Sequence, residues 1–266
     1  MKRISLILTL NWFFSACGQK NVAHPSLVMY SRNVKDSFDI YINIPKDYNA
    51  NERHNIFYYL DANIKSGNKI REILRDSTIK KSFTNTIFVG IGHRGDFHEL
   101  RRRDFTIPKI VGNDTFGLQT NFGQIDHFYK FLKTELIPYI DHHYNTITTD
   151  NSLLGHSFGG LFTIYSLFQN DTIFKHFYAL SPSIWVSNYS IYKFNKLNEQ
   201  ILNAKDLFLS VGSLEIFNRV KAGSDQFDDF LKSKKYPGLI FHYEIYKGET
   251  HNSEVTYAIN DILCSN

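Results

Sequence analysis

A serine between two glycines is the first feature of this sequence that could do chemistry. Gly155-His156-Ser157-Phe158-Gly159 has the spacing G-x-S-x-G, follows the apolar run 152–154 and opens a helical run, 158–168. A strand, a sharp turn and a helix form the setting in which this motif exposes a nucleophilic hydroxyl. Cβ atoms at 155 and 159 are expected to meet backbone, and Gly160 to let the helix approach the sheet. We therefore predict that Ser157 is a nucleophile; the alternative is a glycine-rich turn of structural use.

A serine hydroxyl is a poor nucleophile until a base removes its proton. In this setting the acid and the histidine follow the serine along the chain, on loops after later strands. His251 follows the apolar run 239–246, whereas His242 lies inside that run. We therefore expect His251 to be the base, an exposed loop histidine being the alternative.

The acid of such a site holds the imidazole in its useful tautomer. Glu215 follows the predicted strand 206–212 and is the expected acid. Asp225 and Glu249 are its nearest rivals, and each of the three is otherwise a surface carboxylate.

Attack on a carbonyl creates an oxyanion, which backbone N–H groups can stabilise. One donor is expected at Phe158, the first residue of the predicted helix. The second should come from the loop after the predicted strand 55–61, near Ala62 or Asn63.

The elements that must position these residues alternate between strand and helix. Apolar runs predict strands at 55–61, 86–92, 152–155, 176–181, 206–212 and 239–246. Periodic patterns predict helices at 121–143, 158–168, 219–234 and 253–264. Continuous apolar runs favour strands buried on both faces, so we predict a doubly wound, mostly parallel α/β sheet with helices on both faces. Alternation at 37–45 adds an antiparallel strand, with 27–33 as its hairpin partner.

Composition limits the function classes. The chain has 266 residues, 42% of them hydrophobic, and a net charge of +4. That charge is too small to argue for nucleic acid, and the one dense basic run is Arg101-Arg102-Arg103. With only Cys17 and Cys264, and no ligand-like histidine spacing, neither a disulfide framework nor a metal or organic cofactor is expected.

The first residues have the pattern of an export signal. Lys2 and Arg3 precede a short apolar run, and Phe14-Ser15-Ala16-Cys17 resembles the lipobox of bacterial lipoproteins. We predict a signal peptide at 1–16, lipidation of Cys17, a tether over 17–26 and a single catalytic domain over 27–266. The protein would then be anchored to a cell-envelope membrane, periplasmic or surface-facing. The alternative is an ordinary secretory signal.

Several segments together resemble a known family. They are Tyr59-Leu60-Asp61, Gly90-Ile91-Gly92, 101–108, 155–160, Ser181-Pro182-Ser183-Ile184-Trp185, 212–215 and His251. In this order they resemble the esterase family of α/β-hydrolases, which includes enterobactin and bacillibactin esterases, S-formylglutathione hydrolases, feruloyl esterases and mycolyltransferases. The resemblance runs from about residue 28 to the end, and 101–108 and 181–185 are most similar to the siderophore esterase branch.

The resemblance implies an α/β-hydrolase fold and a serine esterase that works through an acyl-enzyme. Ser157, His251 and Glu215 would form the triad, although some members of the siderophore branch work with a Ser–His dyad. The second oxyanion donor maps to the N–H of Asn63, where Ala62 replaces the usual glycine.

The resemblance also implies a small-molecule ester substrate, either a siderophore or a carbohydrate-linked ester. Arg101 and Trp185 are expected near the cleft mouth; the alternatives are an ion pair between Arg101 and Asp104 and a core position for Trp185. The arginine run would suit an anionic siderophore or would be a solvated basic loop. Loops at 61–70, 93–120 and 182–200 are expected to shape the pocket.

Three other functions use the same features. An acyltransferase would exclude water and admit an acceptor alcohol. A peptidase is chemically possible, but the motif set argues against it. A lipid-anchored binding protein would capture an ester without cleaving it, although the full set of serine, histidine and glutamate argues against a decayed site.

Overall fold

The structure is a computed structural model that describes residues 24–76, 79–108, 123–197, 204–216 and 219–264. Its centre is one eight-stranded sheet in the order β1-β2-β4-β3-β5-β6-β7-β8. The strands are β1 (Leu27–Ser31), β2 (Asp36–Asn43), β3 (Asn55–Leu60), β4 (Thr86–His93), β5 (Ser152–His156), β6 (His176–Leu180), β7 (Lys205–Gly212) and β8 (Leu239–Tyr246).

One strand of this sheet, β2, runs opposite to the other seven. β1 and β2 pair antiparallel, β2 pairs antiparallel with β4, and all other neighbours are parallel. This confirms the mostly parallel sheet with an antiparallel hairpin at its start. The carboxyl ends of the parallel strands therefore meet at one edge, where α/β proteins place ligands.

Helices cover both faces of the sheet. They are α1 (Lys65–Asp76), α2 (Phe97–Phe105), α3 (Ile125–Phe131), α4 (Ile137–His143), α5 (Phe158–Phe168), α6 (Val220–Lys234) and α7 (Glu254–Leu263). Apolar side chains of α1 and α7 pack in one layer, and those of α2 to α6 pack in the other. Tyr58 and Tyr59, adjacent on β3, belong to opposite layers, as the alternation of a strand requires.

The predicted strands are confirmed, but burial on both faces holds for the central strands and not for the edge strand β8. All eight residues of β4 are buried, as expected of a central strand covered on both faces. β8 instead alternates between half-buried and exposed residues, and Ile240 is 67% exposed. The expectation of burial on both faces is wrong for β8, because it forms the edge of the sheet.

Two local predictions also need correction. The stretch expected as a loop after 93 contains α2, whose start is capped by Asp96, since its carboxylate accepts from the N–H groups of His98 and Glu99. The long helix predicted from 121 begins at Ile125 among the described residues, and a π-helical turn at Leu132–Leu136 separates α3 from α4. Pro138 explains that turn, because it has no N–H to donate to the preceding turn.

Candidate active site

Ser157 occupies a strained turn between β5 and α5. Its backbone angles are φ 62° and ψ −115°, a conformation that a residue with a side chain rarely adopts. The N–H of Ser157 donates to the carbonyl of Leu180 at 2.9 Å, and its carbonyl accepts from the N–H groups of Leu161 and Ser183 at 3.0 and 3.1 Å. The neighbouring strand and helix therefore hold the strained conformation in place.

Glycine is required at two positions around this turn. A Cβ on Gly155 would lie 2.2 Å from the carbonyl oxygen of Gly159, and one on Gly160 would lie 2.9 Å from that of Leu180. Gly159 differs, since the nearest atom to its Cβ would be a side-chain oxygen of Asp61 at 3.4 Å. The expectation of a backbone collision is confirmed at 155 and wrong at 159.

The structure brings His251 between Ser157 and Glu215. Nε2 of His251 lies 3.0 Å from Oγ of Ser157, and Nδ1 lies 2.5 Å from Oε2 of Glu215. Because a carboxylate accepts hydrogen bonds, this geometry favours the tautomer with its proton on Nδ1, which leaves the lone pair of Nε2 facing the hydroxyl. The side chain of His251 is 26% exposed and that of Glu215 only 1%. A ligand can therefore reach the imidazole, whereas the carboxylate is buried.

Both carboxylate oxygens of Glu215 have hydrogen-bond partners. Its Oε1 accepts from Oγ of Ser181 at 2.6 Å and from the N–H of Gly212 at 2.8 Å. Burial alone would raise its pKa, but the hydrogen bonds from His251, Ser181 and Gly212 outweigh burial and hold the pKa of Glu215 below its usual value. The carboxylate is therefore ionised and oriented toward the imidazole.

The rival acids have other contacts. Asp225 bonds to Nζ of Lys221 and to the hydroxyl of Tyr243. Glu249 contributes its backbone carbonyl, which accepts from the N–H of Leu214 at 3.0 Å. Glu215 is thus the carboxylate of these three that contacts His251.

His156 contacts the backbone of His251, which the motif pattern did not reveal. Its Nε2 lies 2.9 Å from the backbone carbonyl of His251. Burial, together with the charges of His251 and Arg101, holds the pKa of His156 well below its usual value. The ring is therefore neutral, and its Nε2–H donates to that carbonyl. A histidine next to the serine is the only signal in the sequence for this role.

Arg101 lies beneath the turn in a buried ion pair. Its Nε and Nη2 donate to the carboxylate of Asp61 at 2.6 and 2.9 Å, and Nη2 also donates to the carbonyl of His156 at 3.2 Å. Arg101 is 8% exposed and Asp61 2%. The alternative pairing with Asp104 is wrong, because Asp104 binds Arg103 and His93. Substrate contact by Arg101 stays a prediction, and this geometry gives it a supporting position.

The other two arginines of the run are also paired. Arg102 contacts Glu99 at 3.0 Å, and Arg103 binds Asp104 and Asp36 at 2.7 and 2.8 Å. The segment is part of α2, so the expectation of a solvated basic loop is wrong. The run therefore offers little unpaired positive charge for an anionic ligand.

The expected oxyanion donors follow β5 and β3. Among the described residues, the N–H groups of Phe158 and Asn63 donate to no protein acceptor. The side chain of Asn63 is anchored instead, since its Nδ2 donates to the carbonyl of His93 at 2.7 Å. The end of β3 lies against the start of α5, where Asp61 and Leu60 would be neighbours of a Cβ on Gly159. Both N–H groups therefore lie at the same edge of the sheet.

The segment that follows β6 contains Ser183 and Trp185. Oγ of Ser183 lies 3.4 Å from Oγ of Ser157, a second hydroxyl that sequence reasoning did not single out. Trp185 is half-buried and packs against the core, which agrees with the alternative of a core ring, while its contact with substrate stays a prediction.

The described ranges contain no cluster of three side chains suited to bind a metal. Nor do they include a helix long and apolar enough to cross a bilayer. The predicted signal, Cys17 and the start of the tether lie outside the described residues.

Comparison with known proteins agrees with this geometry. The model of the family described as "Putative esterase" matches residues 31–252. Ferri-bacillibactin esterase BesA from Bacillus subtilis is 27% identical over 254 residues, which cover 89% of this chain and 86% of that protein. A siderophore enterobactin esterase from Emericella nidulans is 29% identical over 147 residues, 52% of this chain and 48% of that protein.

Solved structures show the same architecture. The BES protein from Bacillus cereus superposes with a TM-score of 0.76 at 25% identity, covering 98% of this chain and 97% of the other. An IroE-like serine hydrolase from Shewanella oneidensis superposes with a TM-score of 0.75 at 25% identity, covering 88% of this chain and 77% of the other. The chain thus has the α/β-hydrolase fold, belongs to the esterase family and is a carboxylic ester hydrolase.

Proposed function

We propose that the protein hydrolyses carboxylic esters through an acyl-enzyme on Ser157, with His251 as base and Glu215 as acid. The observation that carries this proposal is the bridging position of His251, whose two ring nitrogens lie 3.0 Å from Ser157 Oγ and 2.5 Å from Glu215 Oε2. A hydroxyl, an imidazole and an ionised carboxylate in this order are the groups that acyl transfer needs.

The first half of the reaction forms the acyl-enzyme. Oγ of Ser157 attacks the ester carbonyl carbon while its proton moves to Nε2 of His251. The bond from the carbonyl carbon to the alcohol oxygen then breaks, and the imidazolium returns that proton to the departing alkoxide. Glu215, already ionised, stabilises the positive charge on the ring between these two steps.

The second half releases the acid. Water loses a proton to Nε2 of His251 and attacks the acyl carbon, and the ester bond to Ser157 breaks as Oγ regains a proton from the imidazolium. In both halves the N–H groups of Phe158 and Asn63 are the proposed donors to the oxyanion, and loss of one such donor typically costs about 10²–10³ in kcat.

The substrate class we propose is a siderophore ester. The support comes from relatives, since BesA is a ferri-bacillibactin esterase and the Emericella nidulans protein a siderophore enterobactin esterase. The arginine run adds no support, because each of its members has an acidic partner. The carbonyl-rich core of a cyclic trilactone would have to reach a half-buried Ser157 beside the exposed edge of His251.

We further propose that the enzyme is tethered to a membrane of the cell envelope through lipid on Cys17. The support is the lipobox-like Phe14-Ser15-Ala16-Cys17 after a short apolar run. Metabolic labelling with a fatty acid tests this: the full chain should incorporate label and fractionate with membranes, and Cys17→Ala should do neither. Label retained in Cys17→Ala would contradict the anchor.

A substrate panel tests the proposed activity. Purified protein is compared with Ser157→Ala on a siderophore trilactone, acetylated xylo-oligosaccharides and short p-nitrophenyl esters, with products followed by chromatography and mass. We expect the trilactone to have the highest kcat/KM and Ser157→Ala to retain almost no turnover. Faster hydrolysis of the sugar esters would overturn the substrate class, and wild-type rates in Ser157→Ala would overturn the mechanism.

A further inference from the structure

A second carboxyl group lies behind Glu215. Glu254, the first residue of α7, is fully buried. Its Oε2 lies 2.9 Å from Oγ of Ser181, and its Oε1 accepts from Oγ of Ser210. Ser181 in turn lies 2.6 Å from Oε1 of Glu215. One hydroxyl thus bridges two buried carboxyl groups.

This bridge needs a proton that serine cannot supply. A hydroxyl carries one hydrogen, so Ser181 can donate to only one of the two carboxyl groups. If both were ionised, one short contact would be between lone pairs. Glu215 already accepts from Gly212 and binds His251, which makes it the ionised partner. The second contact is then satisfied only if Glu254 carries a proton and donates it to Ser181.

The surroundings of Glu254 favour the neutral acid. Burial raises its pKa to about 7, and the charge of Glu215 acts in the same direction. The hydrogen bonds from Ser210 and Ser181 and the charge of His251 act against this, as does the N-terminal end of α7. Tyr246 on β8 also interacts with Glu254; burial raises the pKa of its hydroxyl well above the usual value, and the charges of Asp261 and Glu254 act in the same direction.

Backbone geometry also singles out the bridging serine. Ser181 has φ 41°, in the left-handed region that residues with side chains seldom occupy. Its N–H donates to the carbonyl of Ser210 at 2.8 Å, which holds the turn after β6 against β7. Strain of this kind persists where neighbouring contacts enforce it and is frequent at functional sites.

We propose that Glu254 is a positioning residue for the triad: as a neutral acid it donates to Ser181, which donates to Oε1 of Glu215 and leaves Oε2 to hold His251. The proposal rests on the proposed function, because it concerns the orientation of the acid in that reaction. No bond to substrate is involved, and the proton stays on Glu254 throughout turnover.

Ionisation of Glu254 would disable this arrangement. Two charged carboxylates would then compete for the single hydrogen of Ser181 and repel each other. Glu215 would lose one of its fixed donors, and the imidazole would be oriented less well. The expected effect on kcat is about tenfold, as for the loss of one hydrogen bond to a charged group.

Two substitutions at Glu254 separate its hydrogen-bond donation to Ser181 from its ability to ionise: Glu254→Gln and Glu254→Met. The amide of glutamine is neutral at every pH and can both donate to Ser181 and accept from Ser210. Methionine has similar length but no N–H or O–H donor. Glu249→Gln is the matched control, because it makes the same chemical change near His251 on a residue whose described contact is through its backbone.

The experiment measures kcat and KM for a p-nitrophenyl ester between about pH 5.5 and 9.5, normalised to sites labelled by a fluorophosphonate. Wild type and Glu249→Gln should lose kcat at alkaline pH, Glu254→Gln should keep it, and Glu254→Met should be about tenfold lower in kcat throughout, with KM little changed. An alkaline loss that persists in Glu254→Gln would overturn the proposal. So would wild-type kcat in Glu254→Met.

Ser181→Ala keeps the test decisive if the methionine variant does not fold. Without the bridge only the direct repulsion between the two carboxylates remains, so Glu254→Gln should change the pH profile less in the Ser181→Ala background. An undiminished effect there would count against the relay. Failure of the proposed function is distinguishable, because wild-type protein would then neither label on Ser157 nor hydrolyse the ester.

Discussion

Nε2 of His251 lies 3.0 Å from Oγ of Ser157, although the two residues are 94 positions apart in the chain. The sheet produces this proximity: Ser157 follows β5, and His251 follows β8, the last strand on the same side. Parallel strands end at the same edge, so turns that are distant in sequence converge there. Glu215 lies in the turn after β7, at the same edge of the sheet, and contacts the other ring nitrogen of His251.

Replacing the acid by its amide should slow the reaction without unfolding the protein. Glu215→Gln is expected to lower kcat by up to about 10⁴-fold, the loss seen when the acid of a triad becomes an amide, because the wrong tautomer of the base is then favoured. Steady-state hydrolysis of a p-nitrophenyl ester measures this. Asp225→Asn is the control, since Asp225 bonds Lys221 and Tyr243 instead. Equal losses in both variants would contradict the assignment.

The two glycines of the motif should respond differently to alanine. Gly155→Ala places a Cβ 2.2 Å from the carbonyl oxygen of Gly159, so the turn must shift, and we expect a large loss of both stability and activity. In Gly159→Ala the nearest atom would be 3.4 Å away, so stability should change little. Urea unfolding with parallel activity assays measures both. A tolerated Gly155→Ala would refute the packing argument.

Arg101 should contribute more to the free energy of unfolding than Arg102 does. Arg101→Met leaves the carboxylate of Asp61 buried without its partner, and breaking a buried pair typically costs about 3–5 kcal/mol. Arg102→Ala removes a side chain that is 34% exposed, and exposed pairs contribute about 0–1 kcal/mol. The free energy of unfolding of each variant tests this. Similar values for the two would show that Asp61 does not depend on Arg101.

The two buried glutamates should give stability opposite dependences on pH. The pKa of Glu215 is lowered by folding, so its contribution is present above the pKa of an unfolded glutamate and is lost as the pH falls. The pKa of Glu254 is raised to about 7, so its contribution is present below the unfolded value of about 4.3 and is lost as the pH rises toward 7.

Glutamine variants separate these two effects. Relative to wild type, Glu215→Gln should be most destabilising near neutral pH and less so in acid, whereas Glu254→Gln should gain relative stability between about pH 5 and 8. Urea unfolding across this range provides the measurement. Differences from wild type that do not vary with pH would disprove both assignments of charge.

Local patterns in the sequence predicted much of this molecule. The turn at Ser157 could be read from neighbouring glycines and apolar runs, because its strain and packing are set within a few residues. His251 and Glu215 could be placed by chain order, because a doubly wound sheet brings successive strand ends to one edge. The catalytic roles of these three residues stay predictions.

Features that depend on tertiary partners were beyond the sequence. The partner of Arg101 is Asp61, 40 positions earlier, and no local pattern distinguishes it from the adjacent Asp104. Glu254 reads as an ordinary acidic residue at the start of a helix, and only the fold shows it facing Glu215 through Ser181. Sequence reasoning misses the edge position of β8, although His242 and Glu244 lie two residues apart, on one face of the strand, and both are exposed.

Covalent labelling by a fluorophosphonate tests directly whether Ser157 is the nucleophile and His251 its base, with the rate and the site read by intact mass and peptide mapping. We predict one adduct, on Ser157, formed at least about 10²-fold more slowly in His251→Gln, the lower range for loss of a general base. His242→Gln, which changes an exposed histidine on β8, should label at the wild-type rate. Labelling at another residue would rule out Ser157 as the nucleophile, and an undiminished rate in His251→Gln would rule out His251 as its base.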